Sequence, residues 1–177
     1  MKPRGMLMTE HRLIEKMIDI IQAETLKIQK GKVLDEFLIN SVVDFMRFYA
    51  DATHHGKEED ILFSMLENKD MSSEDSKLMN DLIEEHRFAR HATEDIIRAE
   101  KLYFQGEDTI GIIITTFNAF AVFYPKHVQK EEENFFPNSE IYFSEQELES
   151  MIRKFHDFDK GMIHKKYKSL VEDLQNK

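Results

Sequence analysis

The sequence predicts an all-α fold of four helices with an additional carboxy-terminal helix. Three observations carry that expectation. Apolar residues recur at three- and four-residue spacing, as in Leu7, Ile14, Ile18 and Ile21, which is the period of a helix with one buried face. Turn formers are scarce, with six Gly and three Pro among 177 residues, while strong helix formers dominate. Four stretches interrupt the apolar pattern in the same way, with imidazole and carboxylate together: His11 with Glu15, His54-His55 with Glu58-Glu59, His86 after Glu84-Glu85, and His127 with Glu131-Glu132.

Each element follows from its own residues. Helix A is expected from about residue 5 to 29 and stops at the polar break Gln29-Lys-Gly-Lys32. Helix B runs from Leu34 to about Glu67, with Phe45, Phe48, Tyr49, Ala52, Leu62 and Leu66 turned inward. Ser72 or Ser73 caps helix C, with Asp75 in its first turn, and the helix continues through Leu82, Ala89 and Ile96 to about Leu102. The turn Phe104-Gln-Gly-Glu-Asp108 leads into helix D, from Thr109 to about Phe136, where Pro137-Asn138 stops it. Pro125 falls inside helix D and is expected to kink it. Ser144 followed by Glu147 is a capping box that opens a fifth helix reaching about Leu174. The expected organisation is a metal-binding bundle over residues 1–140, with residues 141–177 packed on it as a helical extension. The stretch Glu100-Lys-Leu-Tyr-Phe-Gln-Gly106 resembles the cleavage sequence of a viral protease and reads as a native turn.

Composition narrows the function classes. A hydrophobic content of 41% and a charged content of 33% over 177 residues suit one compact unit. The formal net charge of −10 argues against nucleic acid or an anionic membrane as partner and favours a cation or a small ligand. No apolar run approaches the ~18 residues of a spanning helix, and no signal-type segment opens the chain, so the expected location is the cytoplasm. With no cysteine, any metal must be held by nitrogen and oxygen.

Helical phase sorts the candidates. At about 100° per residue, His11 lies in line with Leu7 and Ile18, with Glu15 one turn along. On helix B the same phase puts His55 and Glu59 inside and leaves His54 and Glu58 near Arg47 and Asp51 on the solvated face. His86 falls with Leu82 and Ala89, whereas His91 lies opposite. His127 continues the stripe of Phe117, Phe120 and Tyr124, and phase does not separate Glu131 from Glu132. His156 and His164 fall on the last helix, at the surface or behind the ligands. A single inward histidine is ordinarily a hydrogen-bonded core residue. The set is different, because uncompensated buried carboxylates cost several kcal/mol each, and apart from Arg90 no Lys or Arg falls at the matching inward levels. Cations are what such an interior lacks, and four helices offering these groups can enclose two metals.

Glu10-His11-Arg12 with Ile14-Glu15, HHGKEEDILF at 54–63, Glu85-His86 with Arg90, and HVQKEEENFFP at 127–137 together resemble the hemerythrin-like proteins with the His-His-Glu cation-binding domain. The resemblance covers about residues 6–137. It implies an antiparallel up-down four-helix bundle holding two iron ions in a non-haem centre bridged by carboxylates and an oxo or hydroxo group. Zinc or manganese would be substitutes. The implied metal residues are His11, His55, Glu59, His86, His127 and Glu131 or Glu132. The oxygen carriers of the family place two histidines four apart in helix C, where this chain has Arg90 after His86. That departure implies one imidazole fewer, with Glu15 a candidate in its stead, and counts against reversible oxygen carriage. The resulting expectation is a binding or sensing protein for O2, nitric oxide or iron. The alternatives are a di-iron oxidoreductase acting on peroxide or nitric oxide, with Tyr49 or Tyr124 as donors, and a structural bundle filled with zinc.

Overall fold

In the computed structural model, residues 2–31, 33–159 and 163–176 are described. They form six helices and, among the described residues, no strand. Helix α1 spans Pro3–Gly31. Helix α2 covers residues 36–66 without a break, opening as Glu36–Asp44, widening into π-type winding over Phe45–His55 and again over Glu58–Phe63, and closing as Ser64–Leu66. Helix α3 is Ser73–Tyr103. Helix α4 covers residues 110–140, with a wide turn at Glu131–Phe135 between Ile110–Lys130 and Phe136–Glu140. Helices α5 (Glu145–Asp159) and α6 (Ile163–Gln175) follow. The single fifth helix expected to about Leu174 is thus two described helices, and residues 160–162 of that expectation lie outside the described residues.

The starts of these helices follow from side-chain chemistry. Asp35 accepts from the backbone N–H of Leu38 at 3.1 Å and caps α2. Ser72 does the same for Asp75 at 3.1 Å and caps α3. The capping box of α5 forms in both directions, the Ser144 N–H reaching Glu147 Oε2 at 2.8 Å and the Glu147 N–H reaching Ser144 Oγ at 3.3 Å. Gly106 turns the chain between α3 and α4 at φ +96°, a conformation that favours glycine. Pro137 does not stop α4. It stands in the first turn of the α segment that follows the wide turn, where a missing N–H is tolerated. Pro125 likewise sits within Ile110–Lys130, which stays helical through it.

The apolar interior divides into two clusters. One contains Ile14, Ile21, Phe45, Ala50, Ala89, Ile96, Phe117 and Tyr124, and the other Leu7, Ile61, Leu66, Leu82, Phe135 and Phe136. Along α1 the chain passes from the second cluster to the first, along α2 from the first to the second, and the same alternation holds for α3 and α4. On each helix a polar layer lies between. The carboxy-terminal helices reach both clusters, α5 through Met151 and Phe155 and α6 through Tyr167, Val171 and Leu174. Helix α5 approaches α2 closely at Gly56, where an added Cβ would stand 2.9 Å from Cζ of Phe158. No described helix is long and apolar enough to cross a membrane.

Candidate metal centre

The polar layer is built from seven side chains, all buried: His11 on α1, His54, His55 and Glu58 on α2, His86 on α3, and His127 and Glu131 on α4. The wide turns explain how α2 supplies three of them. In π-type winding the N–H bonds the carbonyl five residues back, as Gly56 does to Asp51, so residues five apart share a face. Tyr49-Ala50 and His54-His55 are five apart, and both pairs are buried. Such wide turns are uncommon and concentrate at functional sites.

The outward placement of His54 and Glu58 expected from sequence is therefore wrong. Phase at 100° per residue assumed an α-helix, and it was anchored on Phe48 and Ala52, both of which face solvent. The buried positions form adjacent doublets, Phe45-Met46, Tyr49-Ala50, His54-His55, Lys57-Glu58 and Ile61-Leu62, the third and fifth extended by Thr53 and Phe63. That doublet pattern, visible in the sequence as side-by-side apolar and His or Glu residues, was the signal for a broad inward face. The expectation that no Lys falls inward also fails, since Lys57 is fully buried.

The seven groups fall into two sets. His55, His86 and His127 bring one nitrogen each within 4.8 Å of one another, and His11, His54, Glu58 and Glu131 form a second group on the same criterion. The two carboxylates face both. Glu58 places Oε1 3.6 Å from His54 Nε2 and Oε2 3.3 Å from His86 Nε2. Glu131 places Oε2 3.0 Å from His11 Nε2, and Oε1 3.2 Å from His127 Nε2 and 3.6 Å from His86 Nε2. These are ion-pair distances without hydrogen-bond alignment. Both oxygens of Glu58 and of Glu131, Nε2 of His11, His54, His86 and His127, and both nitrogens of His55 have no hydrogen-bond partner among the described residues. Nine of these buried atoms, all but His55 Nδ1, belong to groups gathered in one layer, and such a set fits cations and would otherwise carry a large desolvation cost.

Behind this layer stands a second one. The Nδ1 of His11 meets Glu132 at 2.8 Å, that of His54 meets Glu10 at 2.9 Å, that of His86 meets Glu59 at 2.6 Å, and that of His127 meets Glu85 at 2.8 Å. Each carboxylate is held in turn by a base: Glu132 by Arg12, Glu10 by Lys57, Glu59 by Arg90 at 2.7 Å, and Glu85 by Lys130. His55 differs, with its Nδ1 3.5 Å from Asp51, which Arg90 holds at 2.7 Å. A carboxylate on Nδ1 favours a proton there and turns Nε2 inward, where its lone pair is free to bind a metal once the ring is neutral.

Glu59 and Glu132 thus belong behind the histidines, whereas Glu131 lies among the inward-facing groups. Glu15 stays half-exposed, paired with Arg12 at 3.0 Å. His91 and His156 are exposed. His164 donates or accepts at the Tyr49 hydroxyl, 3.1 Å from its Nδ1. Tyr124 packs edge-on to His127 with ring centres 6.3 Å apart. Sequence reasoning missed His54, Glu58, Glu10, Glu85 and Lys57.

The charges set the protonation of the layer. Burial pushes the His11 pKa down, but Glu131 and Glu132 outweigh it and lift the group from 6.5 to about 9. His86 is held well above its ordinary value and His127 above it, in each case against burial, by Glu131 and by their other carboxylate neighbours. His55 goes the other way, well below 6.5, through burial and the surrounding imidazoles. Burial raises Glu131, yet His127, His11 and His86 draw it well below the usual carboxylate range.

Helices carrying inward imidazoles, and two carboxylates that reach both imidazole groups with no Lys or Arg paired to them among the described residues, define a cation-binding helical bundle. The sequence matches the model of the hemerythrin HHE cation-binding domain over residues 3–139, and the chain belongs to that family. No curated protein and no solved structure matches it individually.

Proposed function

We propose that this chain holds two iron ions in a hemerythrin-type centre and uses them to bind or sense a small diatomic molecule, O2 or nitric oxide. The observation that carries the reading is the pair Glu58 and Glu131, each facing both groups of histidines with both oxygens unpartnered. In this assignment His11 and His54 would hold one metal and His55, His86 and His127 the other, with Glu58 and Glu131 placed to serve both. Mixed imidazole and carboxylate ligation suits iron, and an iron pair supplies an open position for a diatomic ligand. Zinc or manganese can occupy the same donor set. The alternation of the two apolar clusters along α1 to α4 supports an antiparallel up-down arrangement of these four helices.

The remaining work is done by the protein. Glu132, Glu10, Glu59 and Glu85 orient the rings by holding their Nδ1 protons. Phe136, Phe63 and Phe123 stack against His11, His86 and His127, with ring centres 5.8, 5.9 and 5.2 Å away, and keep water from the cage. The imidazole deficit expected from Arg90 is made good by His54, which is buried in the layer with His11 beside His55. Arg90 serves instead behind it, holding Glu59 and Asp51.

Elemental analysis of iron-loaded protein tests the assignment. About two irons per chain are expected, together with an absorption band that appears with O2 or nitric oxide and reverses on removal. A ratio below one iron per chain rejects the reading. Turnover of peroxide or nitric oxide beyond one equivalent per centre would move the function to the oxidoreductase class, which the packing of Tyr124 against His127 favours.

A further inference from the structure

Three of the four bases behind the histidines stand at the rim, the side chains of Arg12, Arg90 and Lys130 being 52%, 33% and 31% exposed. Lys57 is the exception, with its side chain fully buried. A buried ammonium is stable where carboxylates surround it. Lys57 has two, Glu10 on α1 and Asp159 at the end of α5, the latter at 2.6 Å. Asp159 is also bonded by His164 Nε2 on α6 at 2.9 Å, and His164 Nδ1 meets the hydroxyl of the buried Tyr49. An unbroken line of contacts therefore runs from His54 through Glu10 and Lys57 to the carboxy-terminal helices. Asp159 and His164 both lie beyond residue 139, where the family match ends. The close approach of Phe158 to Gly56 fixes α5 against α2 at the same level. Glu10, Asp159 and His164 have the donor types of a further cation site, but the Lys57 ammonium already stands between both carboxylates.

We infer that Lys57 is a positioning residue for the metal centre, that it sets His54 through Glu10, and that Asp159 of the carboxy-terminal extension completes this contact. The extension is then part of the centre and not an appendage to it. Without Asp159, Lys57 loses one of its two anchors, Glu10 loses the rigid partner that orients it, and the His54 ring is no longer held toward the metal. This rests on the two-iron reading above and predicts an effect at one metal of the pair, since among the described residues His55, His86 and His127 make no hydrogen bond or ion pair with Glu10, Lys57, Asp159 or His164.

The test compares iron release to an excess of an iron(II) chelator from full-length wild type, Asp159→Asn, Lys57→Met and Asp44→Asn. Asp44 pairs with Lys166 of α6 at 3.2 Å and so reports simple loosening of the extension. Wild type failing to load two irons would reject the two-iron reading itself. With wild type loaded, Asp159→Asn and Lys57→Met are expected to release one iron about 10–100-fold faster, the usual cost of losing an outer partner, while the second iron keeps the wild-type rate. The Mössbauer signal of that one site is expected to change, and Asp44→Asn to behave as wild type. Unchanged rates, equal acceleration of both irons, or the same acceleration in Asp44→Asn would overturn the inference. If Asp159→Asn does not fold, His164→Ala frees Asp159 from its other partner without touching Lys57. Faster release of the same single iron is then expected, and wild-type rates there would reject the inference.

Discussion

Two adjacent glutamates on α4 and two on α2 differ in what they touch, and this separates them in function. Glu131 and Glu58 face the imidazole Nε2 atoms, whereas Glu132 and Glu59 face Nδ1 of His11 and His86. Removing an inward carboxylate, as in Glu58→Ala or Glu131→Ala, is expected to drop the iron content below one per chain. Glu59→Gln and Glu132→Gln keep the hydrogen-bonding shape and are expected to retain two irons with affinity weakened about 10–100-fold. Metal-to-chain ratios after dialysis against graded chelator distinguish the two classes, and equal loss in all four variants would contradict the division. His54→Ala belongs with the first class, although its phase in an ideal helix places it on the surface. The histidines of α1, α3 and α4 were legible because those helices wind regularly around His11, His86 and His127. The doublets were not, since adjacent residues 100° apart normally divide between inside and outside, and only the local winding decides.

At the level of the helix, that winding is the device. Each wide turn amounts to one residue more than an α-helix of the same length needs, and it lets neighbouring side chains enter one layer. Deleting the exposed Ala52 from Phe45–His55 is expected to return the segment to α winding and rotate His54 or His55 out of the layer. Circular dichroism would then show helicity close to wild type while iron content falls below one per chain. Two irons retained in the deletion variant would show that the register does not matter. Helix α4 makes the complementary point about legibility. The missing N–H of Pro137 predicts a stop, a sound rule for a uniform helix, but the turn at Glu131–Phe135 resets the ladder and carries the helix to Glu140. The capping box at Ser144 was legible because it needs just four residues and no tertiary context.

Over the whole molecule, protons and metal compete for the same layer. In the metal-free protein His11 is held up to about 9 by Glu131 and Glu132 against burial, and His86 and His127 shift the same way. A raised folded-state pKa stabilises the fold fully below the ordinary value of 6.5 and loses that contribution as pH rises through about 9. The metal-free protein is therefore expected to lose Tm between pH 6.5 and 9, and iron-loaded protein to stay level, because metal has replaced the protons. Thermal scans with chelator and with iron check this, and a metal-free Tm that climbs over the same interval would refute it.

The division of the apolar interior by a polar layer also bears on how the protein melts. Leu7, Ile61, Leu82 and Phe135 form one body, and Ile14, Ala50, Ala89 and Phe117 another. Between them stand seven polar groups whose mutual attraction without metal depends on their protonation. Calorimetry of the metal-free protein is expected to resolve two endotherms, with the smaller body around Phe155 giving way first, and Phe155→Ala to depress that one by about 3–5 kcal/mol. Iron merges them into a single cooperative transition, so that the number of heat-absorption peaks becomes a count of whether the centre is filled.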